Sequence, residues 1–130
     1  MIVLDASAVL EVLLRRPGGC KIQQRMYNRR ETLHAPHLMD VEVAQVVRRY
    51  CISGEMAEDR GYQAIVDLSE LPVTRYPHDL FLTRMWQLRH NVTAYDAVYL
   101  SLAEALNAPL ITCDARLAAS TGHKAAVELV

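Results

Sequence analysis

The chain's 130 residues, 52% of them apolar, suffice for one domain over residues 1–130 that buries about two-thirds of its unfolded surface without disulfide or metal staples. A net charge of −1 excludes a global basic field, so any polyanion must be met by a local patch. Cys20, Cys51 and Cys113 form no C-x-x-C pair, no apolar run approaches the ~20 residues of a membrane span, and the charged start with Asp5 and Glu11 is unlike a signal peptide; a cytoplasmic protein with reduced thiols is expected.

Ile2 to Leu4 read as a short strand buried on both faces. Ser7 can cap the next helix, which turns Val9, Leu10, Leu13 and Leu14 inward until Pro17-Gly18-Gly19 stops it. A second helix is expected from Lys21 to Arg30, then a strand from Leu33 to Ala35 ended by Pro36. From Leu38 to Ile52, Val43, Val46, Val47 and Tyr50 recur at helical spacing, and Ser53-Gly54 ends the run. A helix from Glu55 to Ser69, a strand from Leu71 to Thr74 and a helix from Asp79 to Arg89 follow, the last using Phe81, Leu82, Met85 and Leu88 and broken by Asn91. Thr93 caps the most apolar helix, Ala94 to Leu106, which is expected to lie centrally. Pro109 to Thr112 reads as a strand, Ala115 to Ala119 as a short helix, and Ala125 to Leu129 as a last strand. The alternation predicts an α/β fold, a three-layer α/β/α sandwich with a mostly parallel central sheet.

Ligands of such sheets bind beyond the carboxyl ends of the strands, where Asp5 and Asp114 fall. Glu42 borders the buried stripe of its helix, one turn before Val46, whereas Asp40 stands about 200° away and reads as a first-turn acid favoured by the helix dipole. Asp96 opens the most apolar helix. Each acid has a plain alternative: Asp96 as the acid of a capping-box-like start, Asp114 as the cap of the short helix after it, Asp5 as the start of a turn. Carboxylates gathered without a cation repel one another and lose hydration on burial, so four together read as a divalent-metal site. Arg15, Arg16, Arg48 and Arg49 are the candidate phosphate contacts; only Lys21 and Lys124 are lysines among the 14 basic residues, and arginine suits bidentate phosphate binding.

The segments MIVLDASAVLEVLL, PHLMDVEVAQVVRR and LRHNVTAYDAVYLSLAEALNAPLITCDARLA, in that order, resemble a PIN domain of the kind found in the toxin ribonucleases of VapBC-type toxin–antitoxin modules. The resemblance covers nearly the whole chain and is weakest from Cys51 to Pro77. It implies an endoribonuclease dependent on Mg²⁺ or Mn²⁺, with the family's conserved acids at Asp5, Glu42, Asp96 and Asp114. It also implies supporting roles for Ser7 and Thr112 toward metal-bound water or a ligand carboxylate, unless these serve only as caps. The implied partners are RNA, a VapB-like antitoxin and a second copy of the chain. Met26, Tyr27, Met56, Tyr62 and Ile65 are candidate walls for an antitoxin helix, or else core residues.

Three other readings compete. A metal-independent ribonuclease would use His34 and His37 as acid and base, with His78, His90 and His123 placed by nothing in the sequence. A Mg²⁺-binding receiver-like signalling module would need a lysine near its aspartates, for which Lys124 is the late candidate. An interaction protein would keep its acids around a structural ion. Zinc is not favoured, because His34, His37 and Cys51 lack a second close ligand pair.

Overall fold

The computed structural model describes residues 1–130, with strands β1 (Ile2–Leu4), β2 (Leu33–Pro36), β3 (Val73–Tyr76), β4 (Leu110–Thr112) and β5 (Val127–Leu129). The α-helices are α1 (Ala6–Leu13), α2 (Gly19–Met26), α3 (Leu38–Ile52), α4 (Glu58–Glu70), α5 (Leu82–Gln87), α6 (Ala94–Leu106) and α7 (Ala115–Ala118). The sheet is wholly parallel in the order β3-β2-β1-β4-β5. Strand β1 is central, with Ile2 beside Leu33 and Val3 beside Leu110, and its three residues have no exposed surface, as a strand covered on both faces demands. Helical layers on the two faces complete the α/β/α sandwich.

This topology positions the site. The chain leaves β1 for β2 on one side and arrives at β4 on the other, so the sheet has its switch point between β1 and β4. Asp5 immediately follows β1, and Asp114 stands two residues beyond β4. A crevice opens at such a point because the two connections diverge. Helix α6 supplies the floor: Ala97 through Ala103 are all buried, and Asn107, in the left-handed region at φ 48°, ends it.

Several boundaries differ from those expected. Asp5, not Ser7, caps α1: its carboxylate accepts from the Ala8 N–H at 2.9 Å, and Ser7 lies inside the helix. Helix α2 stops at Met26 because Asn28 folds its side chain back onto the Arg30 N–H, a local turn that competes with helix. Helix α4 begins at Glu58 rather than Glu55, with Glu58 and Asp59 in the first turn where the dipole favours acids. Strand β3 begins after Pro72, which has no N–H to give the ladder. The segment from Asp79 to Arg89 is a 3-10 turn (Asp79–Phe81) followed by α5; the tighter turn shifts the phase, burying Phe81 and Leu88 while Leu82 and Trp86 face outward. Helix α2 sits against α1 with no room at Gly19, where an added Cβ would come 2.5 Å from the Glu11 carbonyl oxygen.

Candidate active site

Asp5 is held from three sides. Ser7 Oγ donates to Oδ1 at 2.7 Å, the Ala8 N–H reaches the same oxygen, and Thr112 Oγ1 donates to Oδ2 at 2.6 Å. Each hydroxyl in turn accepts a backbone N–H from the β4 exit, Ser7 from Cys113 and Thr112 from Asp114, both at 2.9 Å. Two N–H to O–H to carboxylate chains therefore lock the end of β1 to the end of β4. Because each hydroxyl spends its proton on Asp5, the 3.3 Å approach of Ser7 Oγ to Thr112 Oγ1 is packing rather than a third bond.

Glu42 points from α3 toward the same crevice, and the Tyr99 hydroxyl of α6 donates to its Oε1 at 2.7 Å. Thr93 caps α6 by accepting the Asp96 N–H at 3.2 Å, which leaves Asp96 one turn before Tyr99 on the same face. Asp114 caps α7, with Oδ1 accepting from Arg116 N and Leu117 N. The plain capping roles of Asp5 and Asp114 are thus real, and they coexist with a shared location. Asp5, Glu42, Asp96 and Asp114 all line one open cavity of about 520 Å³, together with Ser7, Leu10, Gln45 and Tyr99. Val41 and Tyr95 stand exposed at its margin.

Electrostatics describe a site short of positive charge. Burial pushes the Asp5 carboxyl above its ordinary range against the hydrogen bonds from Thr112, Ser7 and Ala8, and the charge of Asp114 adds to the rise. Burial likewise raises Glu42, opposed by the Tyr99 hydroxyl and reinforced by Asp5 and Asp96. Asp96 is raised by burial and then by Asp114, with Arg116 and Thr93 pulling the other way. Burial followed by the Glu42 charge keeps the Tyr99 phenol protonated, so it remains a donor. None of the chain's ion pairs includes any of the four acids. Hard carboxylate oxygens outside any ion pair are the donor set that suits Mg²⁺ or Mn²⁺. As the side chains stand, no three of them cluster tightly enough to hold one ion.

Asp40 turns away from the acids, as its position two residues before Glu42 requires. Arg75 of β3 takes it in a bidentate pair, Nε to Oδ2 at 2.6 Å and Nη2 to Oδ1 at 3.0 Å. The arginines expected to touch substrate lie elsewhere. Arg15 and Arg16 line a separate cavity of about 710 Å³ with Glu11 and Tyr27, because α1 carries them roughly 15 Å from Asp5. Arg16 is also engaged by Tyr50 at 2.7 Å, and Arg48 and Arg49 are exposed on the far half of α3. Of the candidate partner walls, Met26 belongs to the core, Met56 is partly covered, and Tyr27, Tyr62 and Ile65 are exposed.

The competing sites are not assembled. His34 is buried in β2 between Thr32 Oγ1 and Tyr76 Oη, with burial lowering its basicity. His37 packs edge-on against His78 at 5.9 Å, a neighbour the sequence did not indicate, so His34 and His37 form no acid–base couple. Lys124 borders a cavity with Asn107 and Pro109 at the amino end of β4, the opposite end of the strand from Asp114, so no lysine stands where a receiver needs one. Tyr99 and Arg116 are the residues that sequence reasoning passed over. Tyr99 is three residues after Asp96 on the most apolar helix, and that shared face is the available signal.

A family model described as the PIN domain matches residues 2–122. The ribonuclease VapC12 of Mycobacterium tuberculosis is 45% identical over 130 residues, spanning 100% of this chain and 99% of its own. Among solved structures, PAE2754 from Pyrobaculum aerophilum superposes with a TM-score of 0.70 at 24% identity, covering 97% of this chain and 81% of its own. VapBC2 from Rickettsia felis, bound to a DNA fragment from its promoter, gives a TM-score of 0.66 at 14% identity, covering 99% of this chain and 98% of its own.

Proposed function

Because the chain belongs to the PIN domain family, we propose that it is a divalent-metal-dependent endoribonuclease, a single PIN unit acting in the cytoplasm as the toxin of a VapBC-type pair. The observation that carries the reading is the meeting of Asp5, Glu42, Asp96 and Asp114 in one cavity with none of them in an ion pair. The name of the VapC12 relative as a ribonuclease, at 45% identity over the full length, supports RNA as the substrate.

In this reading Asp5 and Asp96 are the core ligands of Mg²⁺ or Mn²⁺, and Glu42 and Asp114 complete the set directly or through water. Ser7 and Thr112 hold both oxygens of Asp5 in one orientation, so this ligand costs little reorganisation on binding. Tyr99 does the same for one oxygen of Glu42 and leaves the other free. Burial and the neighbouring acids disfavour the charged forms of Asp5, Glu42 and Asp96, and a cation held there would favour those forms again. Such an ion, when bound, lowers the pKa of water and neutralises the charge of a phosphodiester in the transition state. Hydrolysis by water attack leaves 5′-phosphate and 3′-hydroxyl ends. The exposed Tyr27 and Tyr62 are the residues proposed to meet a VapB-like antitoxin, and a homodimer is the proposed resting assembly.

The test is purified protein incubated with structured RNAs, with Mg²⁺ or with EDTA, and analysis of the cut ends. Cleavage that persists in EDTA and leaves 2′,3′-cyclic phosphate rules the reading out.

A further inference from the structure

A second cleft of about 690 Å³ lies beside the acid cavity, between the turn that joins α5 to α6 and the short helix α7. Asp96 lines both hollows, so they meet at its carboxylate. The other charged groups of this cleft are Arg89 and Arg116, with His90, Asn91 and Thr93 as further hydrogen-bonding groups. Both arginines are exposed and neither joins an ion pair. Arg89 lies over the Trp86 ring at 4.5 Å and gives one N–H to the Trp86 carbonyl at 2.9 Å, which holds the guanidinium in place. Arg116 is near enough to Asp96 for its charge to be felt there.

Four acids repel a polyanion, and a chain of net charge −1 has no general field to overcome this. A strand that must present one phosphodiester to the acids therefore needs local cations next to them, on a surface continuous with the cavity. Arg15, Arg16, Arg48 and Arg49 do not provide that surface, and Arg89 and Arg116 do. We propose that this cleft is the track for the RNA backbone on one side of the bond that is cut, with Arg116 on the phosphate beside the acids and Arg89 on one further along. The assignment rests on the nuclease reading for its substrate, and it names where that substrate runs.

Binding is measured on protein carrying Asp96→Asn, in EDTA to suppress cleavage, by fluorescence anisotropy with a labelled single-stranded RNA of mixed sequence at several salt concentrations. Arg89→Ala and Arg116→Ala, each added to it, are expected to weaken binding on the order of tenfold and to flatten the dependence of log K on log salt by roughly 0.7 per arginine. Arg29→Ala, which removes the same charge after α2, leaves both unchanged, and Arg116→Lys recovers part of the loss. Unchanged affinity and slope in the double variant, with the parent protein cutting RNA, overturn the track. A parent protein that binds RNA through these arginines but cuts none with Mg²⁺ or Mn²⁺ sinks the nuclease reading instead and leaves the track standing.

Discussion

The Thr112 hydroxyl donates to Asp5 Oδ2 at 2.6 Å across 107 residues of sequence, in a site where Thr112 has no exposed surface. Its oxygen also accepts the Asp114 N–H, so one side chain fixes two of the four acids. Thr112→Val keeps the shape, deletes a hydrogen bond to a buried carboxylate and strands an N–H. The expected cost is about 2 kcal/mol in a urea melt, with weakened Mg²⁺ binding. A variant as stable as the parent, with equal Mg²⁺ affinity, would show that Asp5 needs no such support.

Asp96→Asn should separate function from stability. RNA cleavage with Mg²⁺ is expected to fall by on the order of a hundredfold or more, since a ligand carboxylate is lost. In EDTA the same change removes a charge that burial and Asp114 disfavour, so the melting temperature should hold or rise. Activity within threefold of the parent would remove Asp96 from the catalytic set.

Metal removal and pH act on the same groups. Asp5, Glu42 and Asp96 have folded-state pKa values above their ordinary ones, so the folded protein holds protons there that the unfolded chain releases. Their contribution to stability is complete below the ordinary carboxylate pKa and is lost as pH rises through the raised values. In EDTA, thermal stability attributable to these groups should therefore increase as pH falls through the raised values toward the ordinary carboxylate range. Mg²⁺ should reverse the trend, stabilising by about 1.4 kcal/mol at ten times its dissociation constant near neutral pH and losing its effect as the acids take up protons. Differential scanning fluorimetry at several pH values, with Mg²⁺ and with EDTA, reads both slopes; a Mg²⁺ shift independent of pH would contradict them.

The parts legible from sequence were those encoded locally. The apolar run at Ile2–Leu4 and the turn signals around it place Asp5 at a strand end, and the same logic places Asp114 after β4. Glu42 was marked by its position beside an apolar stripe. Asp96 was visible only jointly with the others, because its helix-start position has a sufficient local explanation. What stayed hidden depends on contacts across the chain. The hydrogen-bonding role of Tyr99 has no local signal, since its hydroxyl finds Glu42 57 residues away on another helix. Arg15 and Arg16 are close to Asp5 in sequence, but α1 lies between them and sends them to the other end of the molecule's first helix. Arg116, two residues from Asp114, carries no sequence signature beyond that of a basic residue in the last turn of a short helix.

Tyr99 offers the sharpest check on whether Glu42 works in the site or merely sits there. Its hydroxyl lowers the Glu42 pKa that burial raises, and it fixes one carboxylate oxygen while leaving the other free. Tyr99→Phe deletes that single oxygen from a side chain 2% exposed, so the packed ring is retained and the expected stability cost is about 1 kcal/mol. Without the donor, Glu42 should hold its proton to higher pH, and its carboxylate should lose its fixed orientation. If Glu42 completes the metal site, the acid limb of the pH–rate profile moves to higher pH and kcat falls roughly tenfold, with KM little changed. A residue that only packs α6 against α3 would lower stability and leave that limb in place, so the pH profile measured beside the melting temperature decides between the two roles.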